Sequence, residues 1–191
     1  MGYRRTRLLA GLILALLAPA VGAGAGEPTE QLRADIDELY RLAAPVGQPG
    51  APARTIVDRM FDWTAIAEAS LRDHWRKRTA AERAEFTRLF ADLFARAYTS
   101  RIHLVDAKSF RYVGDATAGD HSTVKTKVLT KRGSTIDVDY VMRATPGQRW
   151  HVQDVRVETI SLVDNYRVQF DTIISKASYD ELVKRLRAAV K

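Results

Sequence analysis

Near residue 109 the spacing of apolar residues changes from three-and-four to two, and near residue 161 it changes back. A sequence patterned for one period does not keep an apolar face together in the other. The chain is therefore limited to helices, then a run of strands, then helices, which is an α+β layout. In the first part, Glu27–Ala43 reads as a helix with Leu32, Ile36, Leu39 and Tyr40 on one face. Pro45–Ala53, rich in Pro and Gly, reads as a loop. Ile56, Val57, Met60 and Phe61 mark a second, short helix, and Asp62 is placed to N-cap a third over Trp63–Leu71. Thr79 and Glu82 form a capping box for the longest helix. Along it Phe86, Leu89, Phe90, Leu93, Phe94, Ala97 and Tyr98 recur at three and four residues, opposite Arg83, Glu85, Arg88, Asp92 and Arg96. That pattern spans about five or six helical turns.

The middle part holds four expected strands: Phe110–Val113, Ser122–Thr130, Ile136–Arg143 and Trp150–Glu158. Gly114–Gly119, Arg132-Gly133 and Pro146-Gly147 read as short turns, so the sheet is expected to be an antiparallel meander. Apolar residues change parity within the fourth strand, from Trp150 and Val152 to Val155 and Val157. A bulge near Gln153-Asp154 reconciles them. Two capped helices close the chain. Ser161 and Asp164 open the first, which carries Tyr166, Phe170, Ile173 and Ile174, while Ser178 and Glu181 open the second.

The first 25 residues read as a cleaved signal peptide. Arg4, Arg5 and Arg7 precede a short apolar run, Leu8–Ala18, and Ala23-Gly24-Ala25 is a small-x-small cleavage site. The run is shorter than the ~20 residues a membrane-spanning helix needs. Residues 26–191 are then expected to form one exported domain. The chain has no Cys, so packing alone must hold it. The formal net charge of +7 includes those three signal arginines. The smaller remaining excess weakens a nucleic-acid reading and suits approach to anionic membrane surfaces.

Motifs of catalysis are missing from the sequence. The four histidines, His74, His103, His121 and His151, are not spaced as zinc ligands. No Gly-rich phosphate loop follows a strand, and there is no Gly-x-Ser-x-Gly elbow. Asp137 and Asp139 share a strand face and, with His151, are the residues an exported α+β enzyme would use for acid–base work. The same alternation describes the polar face of a half-exposed strand. His74-Trp75-Arg76-Lys77-Arg78 reads as a helix end, where cations favour the dipole.

Three blocks of sequence together resemble the MlaC, or toluene-tolerance, family of periplasmic phospholipid-binding proteins of the Mla lipid-transport pathway. The first runs from Phe61-Asp62 through His74-Trp75-Arg76, Thr79 and Glu82-Arg83 to Phe86 and Phe90. The second is Ile136-Asp137-Val138-Asp139-Tyr140, then Gly147, Trp150 and Asp154-Val155. The third holds Glu158, Ser161-Leu162-Val163, Asn165-Tyr166-Arg167 and Gln169-Phe170, and ends in Tyr179-Asp180 and Leu182. The resemblance implies a twisted antiparallel sheet wrapped by helices around a deep apolar pocket. It implies a monomeric carrier, not an enzyme, with bound phospholipid as cargo and no other cofactor. Such a carrier serves outer-membrane lipid asymmetry. Its implied partners are an inner-membrane lipid ABC transporter complex with a lipid-binding ring and an outer-membrane lipoprotein–porin complex. Related members are associated with hopanoid metabolism, which leaves the lipid open.

The physics of such cargo agrees with the lack of motifs. A diacyl lipid has roughly 30 methylenes, and exposing them to water costs about 24 kcal/mol. Acyl chains need cover but no directional contacts, so aliphatic and aromatic walls suffice. By inward parity and apolar faces, the wall candidates on the helices are Met60, Phe61, Ile66, Phe90, Phe94 and Tyr98, with Tyr166 and Phe170 later in the chain. On the strands they are Val138, Tyr140, Met142 and Val157. Arg167 is the candidate to meet a phosphate at the pocket mouth. Trp75 and Trp150 are expected to brace the fold.

Overall fold

The computed structural model describes residues 26–42, 51–104, 107–145 and 149–190. The expected signal peptide, most of the Pro45–Ala53 segment and the Pro146-Gly147 turn lie outside the described residues, as does the side chain of His103. The helices among the described residues are α1 (Glu27–Leu42), α2 (Ala51–Met60), α3 (Trp63–Leu71), α4 (Asp73–Arg76), α5 (Ala80–Leu104), α6 (Leu162–Lys176) and α7 (Tyr179–Ala189). The strands are β1 (Ala107–Ala118), β2 (His121–Thr130), β3 (Thr135–Ala144), β4 (Trp150–Val157) and β5 (Ile160–Ser161).

Side-chain caps set the helix starts. Asp62 accepts from the Ala65 amide at 3.0 Å, Ser161 from Asp164 at 2.9 Å and Ser178 from Glu181 at 3.1 Å. The capping box at α5 is reciprocal: the Glu82 amide donates to Thr79 Oγ1 at 3.2 Å, and the Thr79 amide to Glu82 Oε2 at 2.7 Å. With its start fixed, α5 runs for 25 residues, longer than the apolar stripe alone suggests. Two boundaries differ from the sequence reading. Helix α2 already begins at Ala51, since Pro52 falls in the first turn, where a missing N–H breaks no helical bond. Phe61 leaves α2 and pairs with Val152 in an isolated parallel bridge, and the Asp62 amide donates to the Val152 carbonyl at 3.0 Å.

The sheet is antiparallel, in the order β1-β2-β3-β4-β5. Among the described residues it has five strands where the sequence suggested four. The extra strand follows a reversal at Glu158 and Thr159, whose φ values are 49° and 72°. Neither residue is a usual turn former, so the sequence carries no signal for it. Strand β1 also continues through Gly114, which had read as a turn. Pairing steps from Tyr112↔Thr126 to Gly114↔Lys125, leaving Val113 as a bulge, and Gly114 at φ 135° takes a conformation that favours glycine. The bulge expected in β4 is present: Met142 pairs with Val152 and Val141 with Asp154, so Gln153 is the extra residue.

The sheet is two-faced. Lys125 and Asp139 belong to the outer face, and the inner face buries Val124, Val128, Val138, Tyr140, Met142, Val152 and Val155. Helix α1 is tied across this face at several points. Asp115 accepts from the Gly26 amide at 2.7 Å and from Thr29 Oγ1 at 2.5 Å. Gln31 exchanges two hydrogen bonds with the Trp150 backbone. Asp35, 2 % exposed, pairs with Arg59 of α2 at 2.9 Å and with Arg149 at 2.5 Å. Helix α6 is held on α3 by Arg167 Nε, which donates to the Ala69 carbonyl at 3.1 Å, and on α4 by His74 and Asp171, 3.0 Å apart. No described helix is long and apolar enough to cross a membrane.

Candidate functional site

Helix α5 organises the interior. Phe86, Phe90, Phe94 and Tyr98, each four residues after the last, form one buried stripe. Toward α6, the Phe90 ring lies 4.9 Å from Tyr166 and 5.0 Å from Phe170, both edge to face. Toward the sheet, Phe94 lies 5.5 Å from Phe61, and Phe61 lies 5.3 Å from Tyr98. Such edge-to-face geometry is the favoured arrangement of aromatic pairs. The Tyr98 hydroxyl ends the track 3.1 Å from that of Tyr140 on β3.

The structure brings nearly all the expected wall residues into this one cluster. Met60, Phe61, Ile66, Phe90, Phe94, Tyr98, Val138, Tyr140, Met142 and Phe170 are buried in it, and Val157 and Tyr166 pack against it half-buried. The side chains meet one another directly between α5, the sheet and α6. Arg167 stands apart, engaged by the Ala69 carbonyl and by Asp164. Trp75 lies under the Arg83 guanidinium at 5.2 Å, and Trp150 is locked to Gln31, so both brace the fold.

Two surface clefts lie beside the cluster, and neither is lined by the expected wall residues. One, of about 380 Å³, is bounded by Trp63, Trp75, Arg54, Arg83 and Arg88 over an alanine floor on α5. The other, of about 720 Å³, lies between the end of α1 and the start of β1. The sequence reading did not find this second cleft. Tyr40 is visible in the α1 stripe, and Phe110 and Tyr112 alternate on β1, but nothing local says that this helix covers that strand.

Two buried tyrosines, Tyr98 and Tyr140, and two half-buried ones, Tyr40 and Tyr112, add hydroxyls to the interior and its edge. Burial, first of all, pushes the hydroxyls of Tyr40, Tyr98 and Tyr112 well up from the ordinary phenol range, with neighbouring phenols adding to it. Burial raises Tyr140 to about 12, against the opposing pull of its bond to Tyr98. All four are neutral hydrogen-bonding groups at physiological pH.

The acid–base candidates Asp137, Asp139 and His151 lie on the outer face of the sheet. Asp137 pairs with Lys127 at 2.5 Å, and its amide donates to Glu158. His151 pairs in register with Arg143. Among the described residues no group of His, Cys, Asp and Glu is placed to hold a metal ion. The basic run after α3 is partly neutralised, Arg76 by Asp73 and Arg78 by Glu82, and Arg78 also covers the Tyr179 ring at 4.4 Å. On α7, Lys184 and Arg185 share Glu181, and Arg187 reaches Glu85.

An antiparallel sheet with helices over one face and an aromatic interior between them defines an α+β two-layer protein with a predominantly apolar interior. The chain belongs to the MlaC family: the MlaC protein family model matches residues 50–188. The chain is also similar in fold to the phospholipid-binding protein from Ralstonia solanacearum, solved in complex with a phospholipid. That match has a TM-score of 0.71 and covers 86% of this chain and 97% of the other at 19% identity. No curated protein matches the chain at a significant level.

Proposed function

We propose that the protein is a periplasmic phospholipid carrier. In this reading it shuttles lipid between the outer and inner membranes and so maintains outer-membrane lipid asymmetry. Membership of the MlaC family over residues 50–188 carries the reading. Two further observations support it: the structural neighbour is a phospholipid-binding protein, and the interior between α5, the sheet and α6 is aliphatic and aromatic. Walls of that kind suit acyl chains, whose burial is driven by area and not by directional contacts. The protein is then a binding and transport protein and not an enzyme. Residues 1–25 supply the export signal. An inner-membrane lipid ABC transporter complex with a lipid-binding ring and an outer-membrane lipoprotein–porin complex are the partners that load and unload it.

The test is mass spectrometry of the protein expressed with its N-terminal segment and purified without detergent. Native spectra are expected to show added mass that denaturing spectra resolve as intact phospholipid. A lipid-free product would remove the carrier reading, and conversion of bound phospholipid to free fatty acid would replace it with an enzyme.

A further inference from the structure

Helix α1 and strand β1 run antiparallel and are fastened at one end. There Asp115 holds Gly26 and Thr29. At the other end they part around the cleft of about 720 Å³, whose lining includes Asp37, Tyr40 and Arg41 from α1 and Lys108, Ser109 and Phe110 from β1. Two features of the seam are not explained by packing. Tyr112 Oη and Arg33 Nε are buried without a hydrogen-bond partner, although the Arg33 guanidinium lies 4.8 Å over the Tyr112 ring. Native proteins seldom leave such groups unpaired. Lys108 is a bulged residue: pairing steps from Ala107↔Thr130 to Ser109↔Leu129 and leaves it without a partner across the ladder. A bulge re-aims a side chain, here at the rim of the cleft.

The cleft therefore grades from charge to aromatic surface, and a hydroxyl follows just past its lining on the same face of β1. Arg41 and Lys108 are exposed at the rim, make no ion pair among the described residues, and outnumber Asp37. Behind them Tyr40 meets Phe110 edge to face at 4.9 Å. Two residues past Phe110, outside the lining, Tyr112 follows on the same face of β1, and within the cluster the Tyr98 and Tyr140 hydroxyls meet at 3.1 Å. From Tyr98 the aromatic track continues through Phe61 and Phe94 to Phe90. An anionic glycerophospholipid has the complementary order. Its phosphate is a negative charge, its ester carbonyls accept and cannot donate, and its chains are apolar. We infer that the α1–β1 cleft holds the polar end of such a lipid, its phosphate beside Arg41 and Lys108 and an ester carbonyl accepting from Tyr112. The inference rests on the phospholipid-carrier reading and adds to it where the lipid is held.

Delipidated protein is incubated with phosphatidylglycerol vesicles, and lipid per protein and melting temperature are measured. The variants are Tyr112→Phe and the double variant Arg41→Glu/Lys108→Glu. Tyr112→Phe is expected to retain several-fold less lipid while its lipid-free form melts no lower than wild type, because an unpaired hydroxyl has been removed. The double variant, changed only at exposed positions, is expected to load at least fivefold less. Wild-type loading by both variants overturns the cleft assignment and leaves the carrier reading standing. Failure of the wild type itself to load overturns both. Equal thermal protection by inorganic phosphate alone would mark an anion site and overturn the lipid assignment.

Discussion

The hydroxyl bond between Tyr98 and Tyr140 closes a polar pair inside an otherwise apolar cluster, 6% and 2% exposed respectively. Tyr98→Phe leaves the Tyr140 hydroxyl without that partner, a loss of about 1–3 kcal/mol. Adding Tyr140→Phe is expected to recover part of it, because replacing both partners by apolar rings removes the stranded group. Urea unfolding of the two single variants and the double variant measures this coupling, and strictly additive losses would contradict it. Asp115 makes a different kind of contribution. Burial alone would raise its pKa, but bonds from Thr29, Thr117 and the Gly26 amide outweigh burial and hold it below the ordinary carboxylate value. A depressed carboxylate pKa stabilises the fold above the unfolded pKa of about 3.9 and is lost as pH falls through the folded one. Asp115→Asn is therefore expected to lower the melting temperature at neutral pH, with the gap closing below about pH 4. A gap independent of pH would assign the loss to packing.

At the scale of the elements, the legible features were the local ones. A cap is decided within four residues, so Asp62, Thr79, Ser161 and Ser178 could all be read before any fold was known. Thr79→Ala removes the Oγ1 acceptor at the start of the longest helix and is expected to cost about 1 kcal/mol, read from denaturant midpoints. No measurable change would mean that Glu82 and water satisfy the helix end unaided. The β4 bulge was legible for a related reason, since a parity change is written in the order of residues. What stayed hidden depends on partners distant in sequence. Phe61 follows the helical spacing of α2 yet pairs with Val152, and Gly114 reads as a turn yet stays in β1 because a bulge at Val113 absorbs it. Of the candidate site, the apolar faces of α5 and β3 were visible as periodicity, whereas the α1–β1 cleft arises from a pairing that no local pattern encodes.

At the scale of the whole molecule, the aromatic track joins α5 to the sheet on one side and to α6 on the other. Helix α6 is fastened to α3 and α4 through Arg167 and Asp171. Burial of apolar surface is non-directional, so the same faces that pack on one another are suited to pack on acyl chains. Periodicity identifies such a face but not its occupant, and a bulky substitution separates the two cases. Val138 and Met142 lie on the inner face of β3, on either side of Tyr140 in that strand's inward series. In a solid interior, Val138→Trp or Met142→Trp overpacks the core at about 1–3 kcal/mol, and the lipid-free protein melts lower. In an interior that dilates around acyl chains, the indole takes up space the chains would fill, so the fold survives and the lipid is displaced. The second result is expected for both variants: phospholipid per protein falls while the melting temperature of the delipidated form stays near that of the wild type. Loss of lipid together with a matching loss of stability would indicate a solid core, and unchanged lipid in both variants would place the acyl chains away from β3.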